Sequence, residues 1–203
     1  MTIPNIVVID YNMGNVASVA KALNKLGFKN KLSSKKSDIE KATHLILPGV
    51  GAFGDGIKNL TELGLVNLLT KRVAEQGTPF LGICLGMQLL AERGHEFGVH
   101  EGLGWIKGEV IKLKSPKLPH TGWNNIKIIK KSILDNIPDD NFYFVHSYVL
   151  KPKNKSIIAA TCKYGVEFPA VIQYKNIFAT QFHPEKSQLS GLAVINNFIK
   201  YNA

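Results

Sequence analysis

Short apolar runs alternate with stretches of helical periodicity through the first half of the chain. Apolar residues recur every three or four positions over residues 16–26 and again over 65–73, and a glycine ends each stretch. This spacing predicts two amphipathic helices, and a third is predicted from about residue 85 to residue 93. Strands that alternate with helices are typical of a parallel sheet with helices on both faces. The predicted strands of this half cover residues 5–10, 29–32, 44–47 and 80–83.

Six further strand-like runs, joined by short turns, fill the second half of the chain. We expect them to form antiparallel strands added to the same domain, before a last helix that carries Leu192, Ile195, Phe198 and Ile199. The predicted fold is therefore α/β: a single domain over residues 1–203, with a parallel central sheet flanked by helices and with added antiparallel strands. The six runs cover residues 109–114, 125–129, 142–150, 156–161, 166–173 and 177–182.

The charge balance is strongly basic, with a formal net charge of +10 at pH 7 in 203 residues. Arg72 and Arg93 are the only arginines, and the many lysines are scattered without interleaved aromatic residues. Arginine is the usual side chain for reading guanine edges and for gripping phosphate, so this composition does not indicate nucleic-acid binding. It predicts a lysine-rich solvated surface that helps the protein meet an acidic partner or an anionic substrate.

Composition also limits where the protein is expected to work. No apolar run reaches the roughly 18 residues of a membrane-spanning helix, and the start of the chain lacks the basic leader of a secretory signal. Cys84 and Cys162 are the only cysteines, too few for a disulfide scaffold, which fits a reducing compartment. We therefore expect a cytoplasmic protein that does not bind a membrane.

The segment Gly82-Ile83-Cys84-Leu85-Gly86 has the pattern of a nucleophile elbow, with cysteine in place of serine. It stands between a predicted strand and a predicted helix, whose N-terminus favours thiolate over thiol. The backbone N–H of Leu85 would face an oxyanion formed on an attacked carbonyl. A small buried cysteine in a glycine-rich turn is the alternative. Cys162 lies inside a strand-like run without such an elbow and is expected to pack in the core.

A cysteine nucleophile needs a base, and the base needs a group that orients it. His183 and Glu185 stand two residues apart at the end of a predicted strand, where extended chain would point both side chains the same way. The glycine-rich turn at residues 48–51 opens at the same sheet edge, and Gly51 is a candidate for a second oxyanion N–H. The sequence has neither a phosphate-binding loop nor metal-ligand spacing, so no cofactor is expected.

Six segments of the chain together resemble the class I (triad) glutamine amidotransferases. The elbow and the His-Pro-Glu sequence are the marks of that family. The Pro-Gly-Val-Gly, His-Thr-Gly-Trp-Asn and Phe-Val-His-Ser-Tyr sequences resemble, within it, the glutaminase subunits of imidazole glycerol phosphate synthases in histidine biosynthesis. The segments occur in order at residues 10–15, 48–51, 82–88, 119–124, 142–148 and 181–187.

The resemblance implies that the chain hydrolyses L-glutamine and passes ammonia to a (β/α)8-barrel cyclase subunit, its partner in a heterodimer. That partner would make imidazole glycerol phosphate and an aminoimidazole carboxamide ribotide. By the same resemblance Cys84 is the nucleophile, His183 the base and acid, and Glu185 its orienting carboxylate. The implied glutamine-binding residues are Gly49, Gly51, Leu85, Gln88, His146, Ser147 and Tyr148, and the implied barrel interface comprises Pro119, His120, Trp123 and Lys186.

Three other functions remain open at the level of the sequence. The same glutaminase chemistry could feed a sugar-modifying amidotransferase, because nothing in the chain names the final acceptor of ammonia. A catalytically silent binding subunit would not need the Cys84, His183 and Glu185 set. A cysteine hydrolase or peptidase on a similar elbow fold would have no reason to carry the His-Ser-Tyr and His-Thr-Gly-Trp-Asn sequences.

Overall fold

The computed structural model describes residues 4–201 of the chain. The first half contributes four strands that pair in parallel, as the alternation of strand and helix predicts. Three of them are buried along their whole length, and the fourth, at the sheet edge, is partly exposed. The strands are β1 (Ile6–Ile9), β2 (Asn30–Ser33), β3 (His44–Gly49) and β4 (Phe80–Cys84).

Within residues 4–201, six α-helices lie between or after the strands. The predicted helices near residues 16–26 and 65–73 are present, the second continuing from an α-helical turn into a π-helical segment, Thr70–Glu75. Two helices were not predicted, because one is a short polar segment and the other contains two glycines. The helices are α1 (Val16–Lys25), α2 (Lys36–Lys41), α3 (Phe53–Glu62), α4 (Val66–Leu69), α5 (Leu85–Gln88) and α6 (Gln188–Ile199).

The predicted helix over residues 85–93 is wrong beyond its first turn. Helix α5 ends at Gln88, and the chain then forms a strand, Ala91–Gly94. The sequence from Leu89 to Ala91 is apolar and buried on all sides, so hydrophobic periodicity could not separate helix from strand there. Gly94 lies so close to the ring of Phe53 that a Cβ atom would stand 2.4 Å from Phe53 Cγ. This close packing fixes the extended path.

The remaining strands divide between two sheets. One has nine strands in the order β2-β1-β3-β4-β13-β12-β11-β8-β9, and the other has four in the order β10-β7-β5-β6. These labels stand for β5 (Ala91–Gly94), β6 (His100–Glu101), β7 (Ile106–Lys112), β8 (His120–Ile128), β9 (Asn141–His146), β10 (Tyr148–Pro152), β11 (Ile158–Tyr164), β12 (Val166–Tyr174) and β13 (Ile177–Thr180).

Two expectations for the second half need correction. Strand β13 is antiparallel to β12, as expected, but on its other side it pairs in parallel with β4, which places its carboxyl end beside the carboxyl end of the strand that leads to Cys84. The single strand predicted over residues 142–150 is broken at Ser147. Strand β9 before the break belongs to the nine-stranded sheet and β10 after it to the four-stranded sheet. The turn between them lies where the two sheets meet.

The core consists of two apolar clusters on opposite faces of the large sheet. In β1, Ile6 and Val8 belong to one cluster and Val7 and Ile9 to the other, as the alternation of side chains along a strand requires. Helices α1 and α6 cover the first face, and α3 and α4 the second. Among residues 4–201, no helix is long and apolar enough to cross a membrane.

Candidate active site

Cys84 stands at the junction of β4 and α5 in a strained backbone conformation. Its φ of 54° and ψ of −105° lie outside the regions that L-residues ordinarily occupy. The neighbouring glycines are required by packing: a Cβ on Gly86 would lie 1.8 Å from the carbonyl oxygen of Leu47, and one on Gly82 would lie 2.7 Å from the carbonyl oxygen of Gly86. The turn is therefore a nucleophile elbow, which directs the Cys84 side chain away from the sheet.

The Cys84 sulfur lies near the carboxyl ends of strands β9 and β13. Its Sγ lies 3.8 Å from the carbonyl oxygen of Val145, at the end of β9. The side-chain amide of Gln181, just after β13, donates to Sγ from 3.7 Å. Cys162, in contrast, is buried in β11, and burial raises the pKa of its thiol to about 12. Its environment therefore keeps Cys162 protonated and inert.

His183 and Glu185 are in direct contact. The Nδ1 atom of His183 lies 2.7 Å from Oε1 of Glu185, and both side chains are fully buried. The route differs from the extended chain that the sequence suggested, because Pro184–Lys186 form a turn of 3-10 helix. Glu185 therefore reaches the imidazole from a tight turn. Asn15 also donates to Glu185 Oε1, and its Nδ2 lies 3.3 Å from His183 Nδ1.

The charges around His183 favour its protonated form. Burial alone would lower the pKa of this imidazole, but Cys84 and Glu185 outweigh that effect and raise the pKa to about 10. The second ring nitrogen, Nε2, has no hydrogen-bond partner among residues 4–201. His183 is thus held by Glu185 on one side, and it keeps a nitrogen free to exchange a proton on the other.

A cavity of about 350 Å³ opens over the Cys84 sulfur. This volume lies within the range typical of small-molecule sites. Six of the seven residues predicted to bind glutamine line it; the seventh, Gly49, does not, and it packs closely against the hydroxyl of Tyr11. The lining consists of Val50, Gly51, Cys84, Leu85, Gln88, Glu96, Val145, His146, Ser147, Tyr148 and Lys186.

Comparison with known proteins agrees with this geometry. Residues 7–201 match the family described as glutamine amidotransferase class-I. The chain is a class I glutamine amidotransferase. Its fold is also found in solved structures: the crystal structure of a glutamine amidotransferase superimposes with a TM-score of 0.77 at 21% identity, covering 96% of this chain and 97% of that one. The structure of PurLQS from Thermotoga maritima gives a TM-score of 0.76 at 19% identity, covering 98% and 99%.

Several curated relatives of this amidotransferase are subunits of imidazole glycerol phosphate synthase. The imidazole glycerol phosphate synthase subunit HisH 1 of Campylobacter jejuni (strain RM1221) is 50% identical, covering 96% of this chain and 99% of the relative. Subunit HisH of Aquifex aeolicus is 50% identical, covering 95% and 94%. The corresponding subunit of Geobacter sulfurreducens is 46% identical, covering 95% and 97%.

Two side chains of the amidotransferase site were missed by the sequence reasoning. Glu96 is half-buried in the cavity wall, where its Oε2 accepts a hydrogen bond of 2.9 Å from the backbone N–H of Phe53. Asn15 contacts both Glu185 and His183. Glu96 sits in the loop between β5 and β6, whose sequence has no recognisable pattern. For Asn15 there was a signal, because it closes the segment at residues 10–15 that contributed to the family resemblance.

The residues predicted for the barrel interface of the amidotransferase divide into two groups. Pro119, Trp123 and Lys186 are exposed, with Trp123 exposed over 46% of its surface. His120 is not: it is 2% exposed, and its ring is stacked 4.0 Å from the ring of Tyr164. His120 thus lies on the inward-facing side of β8 and offers almost no surface for direct contact with a partner, so its place in the interface stays a prediction.

Proposed function

We propose that this amidotransferase is the glutaminase subunit of an imidazole glycerol phosphate synthase. It hydrolyses L-glutamine to glutamate and ammonia, and the ammonia passes to a cyclase subunit that makes imidazole glycerol phosphate. The observation that carries the proposal is the buried Cys84, His183 and Glu185 set at a cavity of about 350 Å³, in a chain 50% identical to a named subunit of that enzyme. The two half-reactions and the fate of ammonia follow from that arrangement of side chains.

The first half-reaction forms a thioester on Cys84. The sulfur attacks the side-chain amide carbon of glutamine, and its proton resides on His183 Nε2, the nitrogen that does not contact Glu185. Leu85 and Gly51 supply backbone N–H groups for the oxyanion at the carbonyl carbon. The C–N bond then breaks as His183 returns the proton to the leaving nitrogen, which departs as neutral ammonia. Glu185 stabilises the imidazolium throughout.

The second half-reaction restores the enzyme. Water enters the position that ammonia has left, and His183 takes one of its protons as the oxygen attacks the thioester carbon. The C–S bond breaks, glutamate is released and the sulfur recovers its proton from His183. No metal or organic cofactor takes part in either half-reaction as proposed.

The cavity walls carry polar groups that would bind the end of glutamine that bears the α-ammonium group. Glu96 is the one acidic side chain among the lining residues other than the triad, and its carboxylate matches the α-ammonium group of glutamine. The turn at Ser147 and the side chain of Gln88 offer further polar groups in the lining. Together they fix the substrate with its side-chain amide over Cys84.

Ammonia requires a partner protein. Neutral ammonia is the nucleophile, and near pH 7 in bulk water it is mostly protonated, so a water-excluded path to the acceptor preserves its reactivity. We propose that the partner is a (β/α)8-barrel cyclase subunit, which docks on the exposed Pro119, Trp123 and Lys186. We further propose that the chain acts as a single domain in the cytoplasm, where Cys84 and Cys162, both free, remain reduced.

Glutamate release from glutamine, measured with the purified chain alone and with the cyclase barrel and its nucleotide substrate, tests this function. We expect strong stimulation by the loaded barrel. Glutamate production that the barrel leaves unchanged would keep the glutaminase but point to another synthase, such as a sugar-modifying amidotransferase. No glutamate release in either condition would refute the proposal.

A further inference from the structure

A line of polar side chains, partly buried at Asn124 and buried at His120 and His146, joins strand β8 to the proposed glutamine cavity. Nδ2 of Asn124 lies 3.2 Å from Nε2 of His120. Nδ1 of His120 lies 3.1 Å from Nε2 of His146. Nδ1 of His146 lies 3.0 Å from the carbonyl oxygen of Tyr148, at the start of β10. These contacts connect a strand that carries the exposed Trp123 with two residues that line the cavity.

The orientation of Asn124 fixes the direction of the hydrogen bonds at one end. Its Oδ1 accepts from the backbone N–H of Asn125 at 2.9 Å, and its Nδ2 donates to the carbonyl oxygen of Lys163 at 3.2 Å. A rotated amide would place a nitrogen against that N–H and an oxygen against that carbonyl. The group facing His120 is therefore N–H, and His120 Nε2 must present its lone pair.

The Tyr148 end of the network independently imposes the same direction of hydrogen bonding. The carbonyl oxygen of Tyr148 can only accept, so Nδ1 of His146 carries the proton and its Nε2 presents a lone pair. The facing Nδ1 of His120 must then donate. Both imidazoles are therefore neutral Nδ1–H tautomers. A second proton on either ring would sit on Nε2 and would place two N–H groups face to face in the hydrogen-bond network.

Burial keeps both rings in that neutral state. Burial lowers the pKa of His120 to about 4. For His146, burial and the neighbouring His120 lower the pKa to about 3. The His120 ring is stacked between the rings of Tyr164 and Phe144, at centroid distances of 4.0 and 4.8 Å. A single arrangement of protons therefore persists across the ordinary working range of pH.

The carbonyl of Tyr148 connects these histidines to the side chains around Cys84. The same oxygen accepts from the side-chain amide of Gln88 at 2.9 Å. That amide also donates to Oε1 of Gln181 at 3.2 Å, and Nε2 of Gln181 donates to the Cys84 sulfur at 3.7 Å. The hydrogen bonds are thus continuous from Asn124 in β8 to the Cys84 sulfur. They pass through Tyr148, next to the turn at Ser147 that separates β9 from β10.

We propose that Asn124 and His120 are positioning residues for glutamine binding, which act through His146 on the Tyr148 carbonyl and the turn at Ser147. By fixing His146 as an Nδ1–H donor, they hold that carbonyl, and with it Gln88, in the arrangement that receives glutamine. Their role rests on the glutaminase activity proposed above. Asn124 follows the exposed Trp123 in β8, so the network begins on the strand that carries part of the surface proposed to meet the barrel.

The substitution Asn124→Asp tests this role with almost no change of shape. A carboxylate can only accept, so Nε2 of His120 must take a proton and its Nδ1 no longer donates to His146 while the ring stays neutral. We expect the KM for glutamine to rise about tenfold or more, with a smaller change in kcat, in the chain assembled with its barrel. Asn124→Ala, which removes the bond without reversing it, should give a smaller rise.

Asn125→Asp is the matched control, since it makes the same chemical change at the next residue of β8. The side chain of Asn125 is exposed and bonds to Asp140, outside the network. Its KM should stay within about twofold of the wild type. Equal KM values for Asn124→Asp and the wild type, or equal rises for both aspartate variants, would overturn the proposal.

Nitrogen-15 NMR of the imidazoles supplies a readout that does not depend on activity. We expect neutral Nδ1–H signals for His120 and His146 in the wild-type chain at pH 7, and movement of the His120 proton to Nε2 in Asn124→Asp. An Nε2–H tautomer on either ring of the wild type would overturn the network. If the wild-type chain released no glutamate, the proposed function would fail, yet these spectra would still test the network.

Discussion

The Nδ1 atom of His183 lies 2.7 Å from Oε1 of Glu185, and neither side chain is exposed. A carboxylate at this distance fixes which ring nitrogen carries a proton and leaves Nε2 for the reaction. Parallel pairing of β13 with β4 brings this pair to the edge of the sheet where Cys84 stands. In the proposed reaction, Glu185 therefore acts on the base and does not itself exchange the substrate's proton.

Replacing either member of this pair should therefore have unequal effects. His183→Ala removes the base and should reduce kcat for glutamine hydrolysis by about 10⁴-fold or more. Glu185→Gln keeps a side chain of the same shape and should reduce kcat less, by about 10- to 1,000-fold. Steady-state glutamate release by the assembled enzyme measures both. Equal losses would contradict the orienting role of Glu185.

The raised pKa of His183 also predicts how stability depends on pH. Burial lowers this pKa, Cys84 and Glu185 raise it, and the result is about 10, above the ordinary value of about 6.5. A raised histidine pKa stabilises the fold fully below the unfolded value and ceases to do so as pH rises through the folded value. This contribution is therefore complete below about pH 6.5 and lost on approaching pH 10.

Cys84→Ala removes one of the two groups that raise this pKa. Urea unfolding at pH 6.5 and pH 9.5 should show a larger loss of unfolding free energy in the wild type than in Cys84→Ala. A direct titration of His183 by NMR should place its pKa lower in the variant. Parallel pH profiles for the two proteins would show that the sulfur does not act on His183.

The backbone at Cys84 stores strain that a glycine would relieve. With φ at 54° and ψ at −105°, this residue is in a conformation that costs an L-residue about 1–3 kcal/mol. Cys84→Gly should therefore be more stable than Cys84→Ala by about 1 kcal/mol or more, although both lose the nucleophile. Chemical denaturation of the two variants makes the comparison. Lower stability of the glycine variant would argue against strain at the elbow.

Glu96→Gln tests the amino-acid end of the glutamine cavity. The loss of its negative charge should raise the KM for glutamine about tenfold, with little change in kcat, because the α-ammonium group is equally bound in the ground and transition states. Glu101→Gln, at an exposed position of β6, is the control and should leave KM unchanged. A fall in kcat at unchanged KM would place Glu96 in the chemical step.

Trp123→Ala tests the surface proposed for the barrel. An exposed tryptophan that becomes buried in an interface typically contributes about 2 kcal/mol or more, so the dissociation constant of the heterodimer should rise about 30-fold or more. Val166→Ala, at another exposed apolar position, should leave it unchanged. Titration calorimetry with the cyclase barrel measures both. An unaffected Trp123→Ala complex would require a different docking surface.

Local sequence signals predicted the part of the fold that builds the elbow. The strands of the first half, helix α1 and the turn at Cys84 follow from apolar runs, helical spacing and glycines, and each is present. Helix α3 was missed because Gly54 and Gly56 lower its helical propensity. Gly56 instead lets the helix approach Leu89 and Leu85. This need for a glycine comes from tertiary packing, which local periodicity does not predict.

Features that depend on long-range pairing were beyond the reach of the sequence. The parallel direction of β13 depends on its partner β4, nearly a hundred residues earlier in the chain. The burial of His120 depends on stacking against Tyr164 from another strand. The sequence alone could not show this burial, since strand alternation gives two faces but does not say which of them is covered.

The covalent intermediate on Cys84 is the central claim of this account, and mass spectrometry tests it most directly. The assembled enzyme is mixed with glutamine, quenched in acid during turnover and digested. We predict a glutamyl thioester on the peptide that contains Cys84 and none on the peptide that contains Cys162. Glutamate release without any adduct on Cys84 under single-turnover conditions, or an adduct on Cys162, would contradict it.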